Sequence, residues 1–149
     1  MSDIGFSQEQ LMDRAVKYNG YARLTGIEML YAKDGLAEAR IVLDEKHFNP
    51  IGSVHGGCIF TLADSVAGIA VASCGTSATT LSAHSVYLNA AMAGKSKILY
   101  GKASPVRVGR KIAVYKVEIK DDNEKEIAEF TFEFFRMSKV PKLPEENVK

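Results

Sequence analysis

The hydrophobic pattern changes character along the chain, and each change marks a different kind of element. From residue 7 to 19 apolar positions recur at helical spacing. Ser7 stands as N-cap, Gln10 completes a capping box, and Phe6 is set to staple against Leu11. Gly20 follows where a left-handed C-cap is wanted. The pattern then alternates. Leu24 to Ala32 reads as a short strand, Lys33-Asp34-Gly35 as a turn, and Leu36 to Leu43 sets Ala37, Ala39 and Ile41 against Glu38, Arg40 and Val42.

From Gly56 to Cys74 the alternation stops. GGCIFTLADSVAGIAVASC is almost uniformly apolar and small-sided, with Asp64 as its only ionisable carboxylate. A helix apolar all round is buried on all sides, so this segment is predicted to be the centre of the molecule. The polar loop before it, residues 44–54, is broken by Pro50 and Gly52 and delivers His55, Gly56 and Gly57 to the helix start. Gly75 closes the helix.

Beyond Gly75 the period returns to two. Thr79 to Asn89 and Ile98 to Val108 read as strands, with Pro105 marking a bulge or an edge. In Lys111 to Lys120, Ala113, Tyr115, Val117 and Ile119 share a face; after the DDNEK turn Phe130, Phe132 and Phe134 do the same. The tail from Ser138, with two prolines and mixed charge, is expected to fray. The order predicts an α+β fold in which an antiparallel meander wraps one long central helix, with an extra N-terminal helix. Residues 1–149 are read as a single domain, long enough to bury its own core.

Composition narrows the partners. A net charge of +1 and a pI of about 7.7 give no field favouring nucleic acid or an anionic membrane. The central stretch approaches the length of a membrane span, but Asp64, three hydroxyl residues and the glycines argue against insertion. The N-terminus lacks the basic and apolar regions of a signal peptide, so a cytoplasmic location is expected. Cys58 and Cys74 lie sixteen positions apart on one helix, about 24 Å and beyond disulfide reach, and are expected to be free, buried thiols.

The run Asn49-x-x-Gly52-x-x-His55-Gly56-Gly57, with Asp64 nine positions past the histidine, resembles the signature of PaaI-like acyl-CoA thioesterases of the hotdog fold. The likeness extends over residues 24 to 137, through a Thr-bearing strand and the pair Gly109-Arg110. It implies that Asp64 is the catalytic carboxylate and that the Gly56 N–H polarises the thioester carbonyl. It likewise implies that Asn49 lies beside the attacked carbon, that His55 orients and that Thr80 helps to position water. It further implies that Arg107 to Lys111 meet the nucleotide end of coenzyme A. Coenzyme A enters as part of the substrate, with no separate cofactor or metal. The chain departs from the pattern at Ala90, where relatives often have proline, and at Ser82, where many have an acid; both bear on substrate preference.

The residues carry the same chemistry without the family. The first turn of a helix offers unpaired N–H groups and partial positive charge to a developing oxyanion. Gly56 and Gly57 let a substrate carbonyl approach that backbone. A carboxylate in an apolar helix is costly unless used or paired, and Asp64 can take a proton from water. Gly56 and Asp64 are eight residues apart, about 12 Å along one helix, so they cannot bracket one carbon atom within one chain. If both serve one site, the second must come from a partner across a two-fold axis: a homodimer, extended in this reading to a dimer of dimers.

Other readings stay open at this level. Asp64 could face solvent or an ion partner, His55 could be a structural cap, Asn49 a turn residue before Pro50, and Thr80 an ordinary strand former. Arg107, Arg110 and Lys111 could be solvated strand ends. His47 and His84 are read as non-catalytic, and three histidines without ligand spacing do not suggest a metal. The rival functions are a hotdog β-hydroxyacyl thioester dehydratase, which His47-Phe48 faintly resembles, and a non-catalytic acyl-CoA sensor.

Overall fold

The structure, a computed structural model, describes residues 7–138. The predicted capping box forms: Ser7 Oγ accepts from the Gln10 N–H at 3.1 Å, and Gln10 Oε1 accepts from the Ser7 N–H at 2.9 Å. It starts α1, Gln8–Lys17. Phe6, the other half of the expected staple, lies outside the described residues. Gly20 does not end this helix. Tyr18 is its C-cap, and Asn19 at once caps a second helix, α2 (Gly20–Thr25), by accepting from the Ala22 N–H at 2.9 Å. The side-chain cap at Asn19 outweighs the strand-like hydropathy that begins at Leu24. The left-handed residue is Gly26, at φ 78°, and β1 follows as Ile27–Lys33.

The remaining elements are β2 (Leu36–Val42), a single 3-10 turn (Glu45–His47), α3 (Gly56–Ala72), β3 (Ala78–Tyr87), β4 (Ile98–Val108), β5 (Ile112–Asp121) and β6 (Glu126–Arg136). The six strands form one antiparallel sheet in the order β1-β2-β4-β5-β6-β3. Here the expected simple meander is corrected. Strands β4, β5 and β6 follow one another, but β3 lies at the far edge beside β6, and β4 pairs with β2. Alternation reports which face a strand buries, not which strand lies beside it.

One face of the sheet is the core. In register across it lie Ala37, Ala103, Val117 and Phe130, then Ala39, Gly101, Ile119 and Ala128, all buried. Helix α3 rests on this face and touches every strand. Small residues in β2 and β4 let it come close. A Cβ on Gly101 would stand 3.2 Å from Leu62 Cγ and 3.4 Å from Val66 Cγ1, so glycine is what the helix packs against.

The helix is not buried on all sides, which corrects the sequence expectation. Ile59, Leu62, Ala63, Val66, Ala67 and Ala70 are buried, but Thr61, Asp64, Ser65, Gly68 and Ala72 form a half-open stripe and Gly57 is exposed. Those side chains are small or polar, and the sheet covers only the opposite side of the helix. The cysteines are free as expected, but half-buried rather than buried. Among the described residues no helix is long and apolar enough to cross a membrane.

Candidate active site

Among the described residues Asp64 makes one side-chain hydrogen bond: its Oδ1 accepts from the Thr80 hydroxyl at 2.8 Å. The contact depends on a β-bulge. Ala83 and Ser85 stand opposite Phe132 and Phe130 and so face inward, and regular pleating would then turn Thr80 outward. The register slips between Thr80 and Ser82, so that Thr80 comes opposite Phe134 and faces α3. Ser82 falls on the outer face, where its hydroxyl donates to Glu133 at 2.8 Å.

The pair sits at a cavity of about 580 Å³. It is lined by the open stripe of α3, by Ala78 and Phe134, and by residues of β1, α1 and α2. The carboxylate thus has a hydroxyl on one oxygen and, beside it, open volume lined by polar and apolar residues alike.

The N-terminus of α3 is a separate assembly. His55 is the N-cap, at φ −58° and ψ 132°, and its Nδ1 accepts from the Gly57 N–H at 2.8 Å. A Cβ on Gly57 would lie 3.0 Å from that nitrogen, so the cap requires glycine there. Among the described residues the Gly56 N–H has no acceptor, while its carbonyl accepts from the Tyr87 hydroxyl at 3.0 Å. Burial holds the Tyr87 phenol above its ordinary value, so it remains a protonated donor. Burial also pushes the Cys58 thiol up to about 11, which leaves it inert at neutral pH.

Thr80 on Asp64 and Tyr87 on Gly56 are two contacts on one strand seven residues apart, roughly 20 Å at strand rise. The structure therefore joins Asp64 to Thr80 and His55 to Gly57, and keeps the two groups apart within one chain. Asn49 joins neither. Its Oδ1 accepts from the Ile51 and Ser53 N–H groups, and its Nδ2 donates to Ser53 Oγ at 2.8 Å, which makes it the anchor of the loop before α3. His47 is buried, with Nδ1 accepting from the Asp44 N–H and Nε2 donating to the Thr25 carbonyl, a structural tie between α2 and that loop. Among the described residues no group of three or more His, Cys, Asp or Glu could hold a metal ion.

Arg107, Arg110 and Lys111 are exposed at the β4–β5 turn. Gly109 shapes that turn: its N–H donates to the Ile112 carbonyl, and a Cβ would collide with the same oxygen at 2.8 Å. Arg136 ties the turn to the start of β3, donating to the Gly109 carbonyl at 2.7 Å and to Thr76 Oγ1 at 3.0 Å. The basic turn thus borders the end of the sheet where Ser77, Ala78 and Met137 line the cavity. Sequence reasoning missed Tyr87 and Arg136. Tyr87 lay within a predicted strand and Arg136 at the end of one, and neither stands in a motif; only their tertiary neighbours set them apart.

Comparison with known proteins agrees with this architecture. Residues 51–128 match the thioesterase superfamily. A protein of Archaeoglobus fulgidus provisionally named an esterase is 32% identical over 120 residues, which is 80% of this chain and 77% of that one. A hypothetical thioesterase of Streptococcus pneumoniae TIGR4, crystallised with coenzyme A, superposes with a TM-score of 0.78 at 25% identity, over 87% of this chain and 99% of its own. The E. coli PaaI protein superposes with a TM-score of 0.77 at 25% identity, over 87% and 98%. The fold is the hotdog fold, and the chain belongs to the thioesterase superfamily.

Proposed function

We propose that the protein is an acyl-CoA thioesterase: a single hotdog domain that converts an acyl-CoA and water to a free carboxylic acid and coenzyme A in a site completed across a two-fold axis. The observation that carries this reading is a carboxylate, Asp64, held by the Thr80 hydroxyl at 2.8 Å on the wall of a chamber able to take an acyl group. With Oδ1 engaged by Thr80, Oδ2 is left to accept a proton from water or to attack the thioester carbon itself. The developing oxyanion goes to the unpaired Gly56 N–H at the positive end of the partner's α3, with Gly57 leaving room for the carbonyl. Collapse then breaks the carbon–sulfur bond, and the sulfur leaves as the thiol with a proton from water; where Oδ2 has attacked, a water next cleaves the acyl–aspartyl anhydride to the free acid. His55 and Asn49 keep the loop and the first turn in shape for this contact. Arg107, Arg110 and Lys111, on the turn built by Gly109, supply cations for the nucleotide phosphates, a role supported by a neighbour crystallised with coenzyme A. The chemistry as written calls for no metal or redox cofactor.

The separation of Asp64 and Gly56 within one chain supports the shared site, and complementation tests it. Gly56 is the first helical residue, a position that accepts proline, and His55 already has the extended backbone that precedes one. Gly56→Pro therefore deletes the donor and spares the helix. Each of Asp64→Ala and Gly56→Pro alone is expected to lower thiol release from acyl-CoA by about a hundredfold or more. An equilibrated mixture of the two is expected to recover about a quarter of wild-type activity, since half of the dimers then hold one intact site of two. A mixture no more active than its components rejects the shared site.

A further inference from the structure

We propose that Tyr87 is a positioning residue of the reaction: with His55 it grips the Gly56–Gly57 peptide at both ends, and so fixes the direction in which the Gly56 N–H meets the substrate carbonyl. The inference rests on the thioesterase reading above and adds to it a residue of β3 that acts through Gly56 rather than on the substrate.

The need for such a residue is set by the sequence. Gly56 and Gly57 are adjacent and open α3. Glycine restricts backbone rotation less than any other residue, and the first turn of a helix is where N–H groups lack intrahelical partners. A donor stabilises developing charge best when it already points at it, because it then needs no reorganisation as the reaction proceeds. Two glycines admit a carbonyl but do not by themselves hold the donor still.

The peptide unit between them is held at both ends. Its N–H, on Gly57, donates to His55 Nδ1 at 2.8 Å, and its C=O, on Gly56, accepts from the Tyr87 hydroxyl at 3.0 Å. A peptide unit is a rigid plane, so bonds at its two ends fix its tilt. The adjoining plane carries the Gly56 N–H. Its other end, the His55 carbonyl, accepts from the Cys58 and Ile59 N–H groups at 2.9 and 3.2 Å. With both planes fixed, the Gly56 N–H is left with one direction.

Tyr87 is itself fixed. Its ring meets Phe130 edge to face, with centroids 5.9 Å apart, and Phe130 meets Phe60 of α3 in the same manner at 5.5 Å. The tip of the ring lies over Gly56, where a Cβ would stand 3.6 Å from three of its atoms. These contacts need only the ring, and a phenylalanine would make them equally. The hydroxyl is the part that packing leaves unexplained, and among the described residues its one hydrogen bond goes to Gly56. Strand β3 thus carries a hydroxyl for each half of the site, Thr80 for Asp64 and Tyr87 for Gly56.

The test uses Tyr87→Phe, which keeps the ring and removes one oxygen. His55→Ala frees the other end of the same peptide and reports if Tyr87→Phe does not fold. Thiol release is followed with octanoyl-CoA, benzoyl-CoA and acetyl-CoA. Each variant is expected to lower kcat about tenfold with KM within about twofold of wild type, since misdirecting a donor forfeits part of what deleting it would. An unchanged kcat, or a loss confined to KM, overturns the proposal. So does a loss that tracks dissociation of the dimer in sedimentation, because Tyr87 would then serve the interface.

A spectroscopic readout separates the proposal from the hydrolytic reading. In an Asp64→Ala background, the isotope-labelled thioester carbonyl of the bound substrate is expected to stretch at lower frequency than in water. With Tyr87→Phe added it is expected to move back toward the free value; a frequency indifferent to Tyr87 overturns the proposal. If wild type releases no thiol but the bound carbonyl responds to Tyr87→Phe, the positioning role stands and hydrolysis falls. If wild type and Tyr87→Phe release thiol equally, hydrolysis stands and the positioning role falls. Failure of all three thioesters to bind ends both.

Discussion

Gly57 is glycine because of its neighbour. The His55 ring folds back over the first turn of α3 to cap it, and any Cβ at 57 would press on that ring at 3.0 Å. Gly57→Ala is expected to displace the cap and to cost about 1 kcal/mol, seen as a melting temperature lower by roughly 2–4 °C. An unchanged melting temperature would show that the cap contributes nothing. The same scale shows what could be read in advance. Asp64 stood out because an acid in an apolar helix is a chemical anomaly, and Gly56 and Gly57 because adjacent glycines at a helix start are costly without a reason. Thr80 stood out only through the family resemblance, since threonine is at home in any strand; its contact with Asp64 depends on a one-residue bulge that no periodicity announces. Asn49 reads the same way in sequence whether it holds a turn or a substrate, and the structure gives its side chain to the turn.

At the scale of elements, the β5–β6 connection shows a fixed point that hydropathy misses. The DDNEK turn is legible as a turn, but Asp121 within it is only 1% exposed. Its carboxylate accepts from Ser96 Oγ at 2.7 Å and from the Asn123 and Lys125 N–H groups at 2.9 and 3.0 Å, pinning the turn to the segment that enters β4. Burial pushes this carboxyl upward, but the hydrogen bonds from Ser96, Lys125 and Asn123 outweigh it and hold the group below its ordinary value of 3.8. A depressed folded value adds stability that is fully present above 3.8 and lost as pH falls through the lower folded value. Asp121→Asn is therefore expected to be less stable than wild type at neutral pH and to lose less melting temperature on acidification below about pH 4. Parallel melting curves against pH would exclude the linkage. The helix boundary at Asn19 makes a similar point, because one side-chain cap redirected a segment whose apolar residues suited a strand.

At the scale of the whole molecule the open edge of β3 is decisive. Among the described residues β3 ends the sheet with no strand on its outer side, and Leu81, Val86 and Tyr87 are 55%, 42% and 49% exposed. Such an edge pairs readily with another strand unless charge or proline blocks it. The edge is thus a candidate surface for the dimer proposed above, and this gives a direct check. The double variant Leu81→Lys, Val86→Lys places charge on the edge, with the second lysine opposite Glu129. It is expected to sediment as a monomer and to release no thiol. A variant that stays dimeric removes the edge from the interface, and an active monomer removes the shared site.

The sequence by itself determined the material of the fold: one apolar helix, strands with one greasy face each, and an acid set among residues that do not tolerate an idle one. These are properties of spacing and side-chain chemistry, which act along the chain. Only the tertiary structure decided that β3 leaves the meander for the sheet edge, that a bulge turns Thr80 toward Asp64, and that one face of the central helix opens onto a cavity that α1 and α2 help to line. Each of those outcomes is a choice of partner among segments of similar hydropathy. Such choices are settled by how closely the surfaces fit once the chain is folded, and no local pattern carries that information.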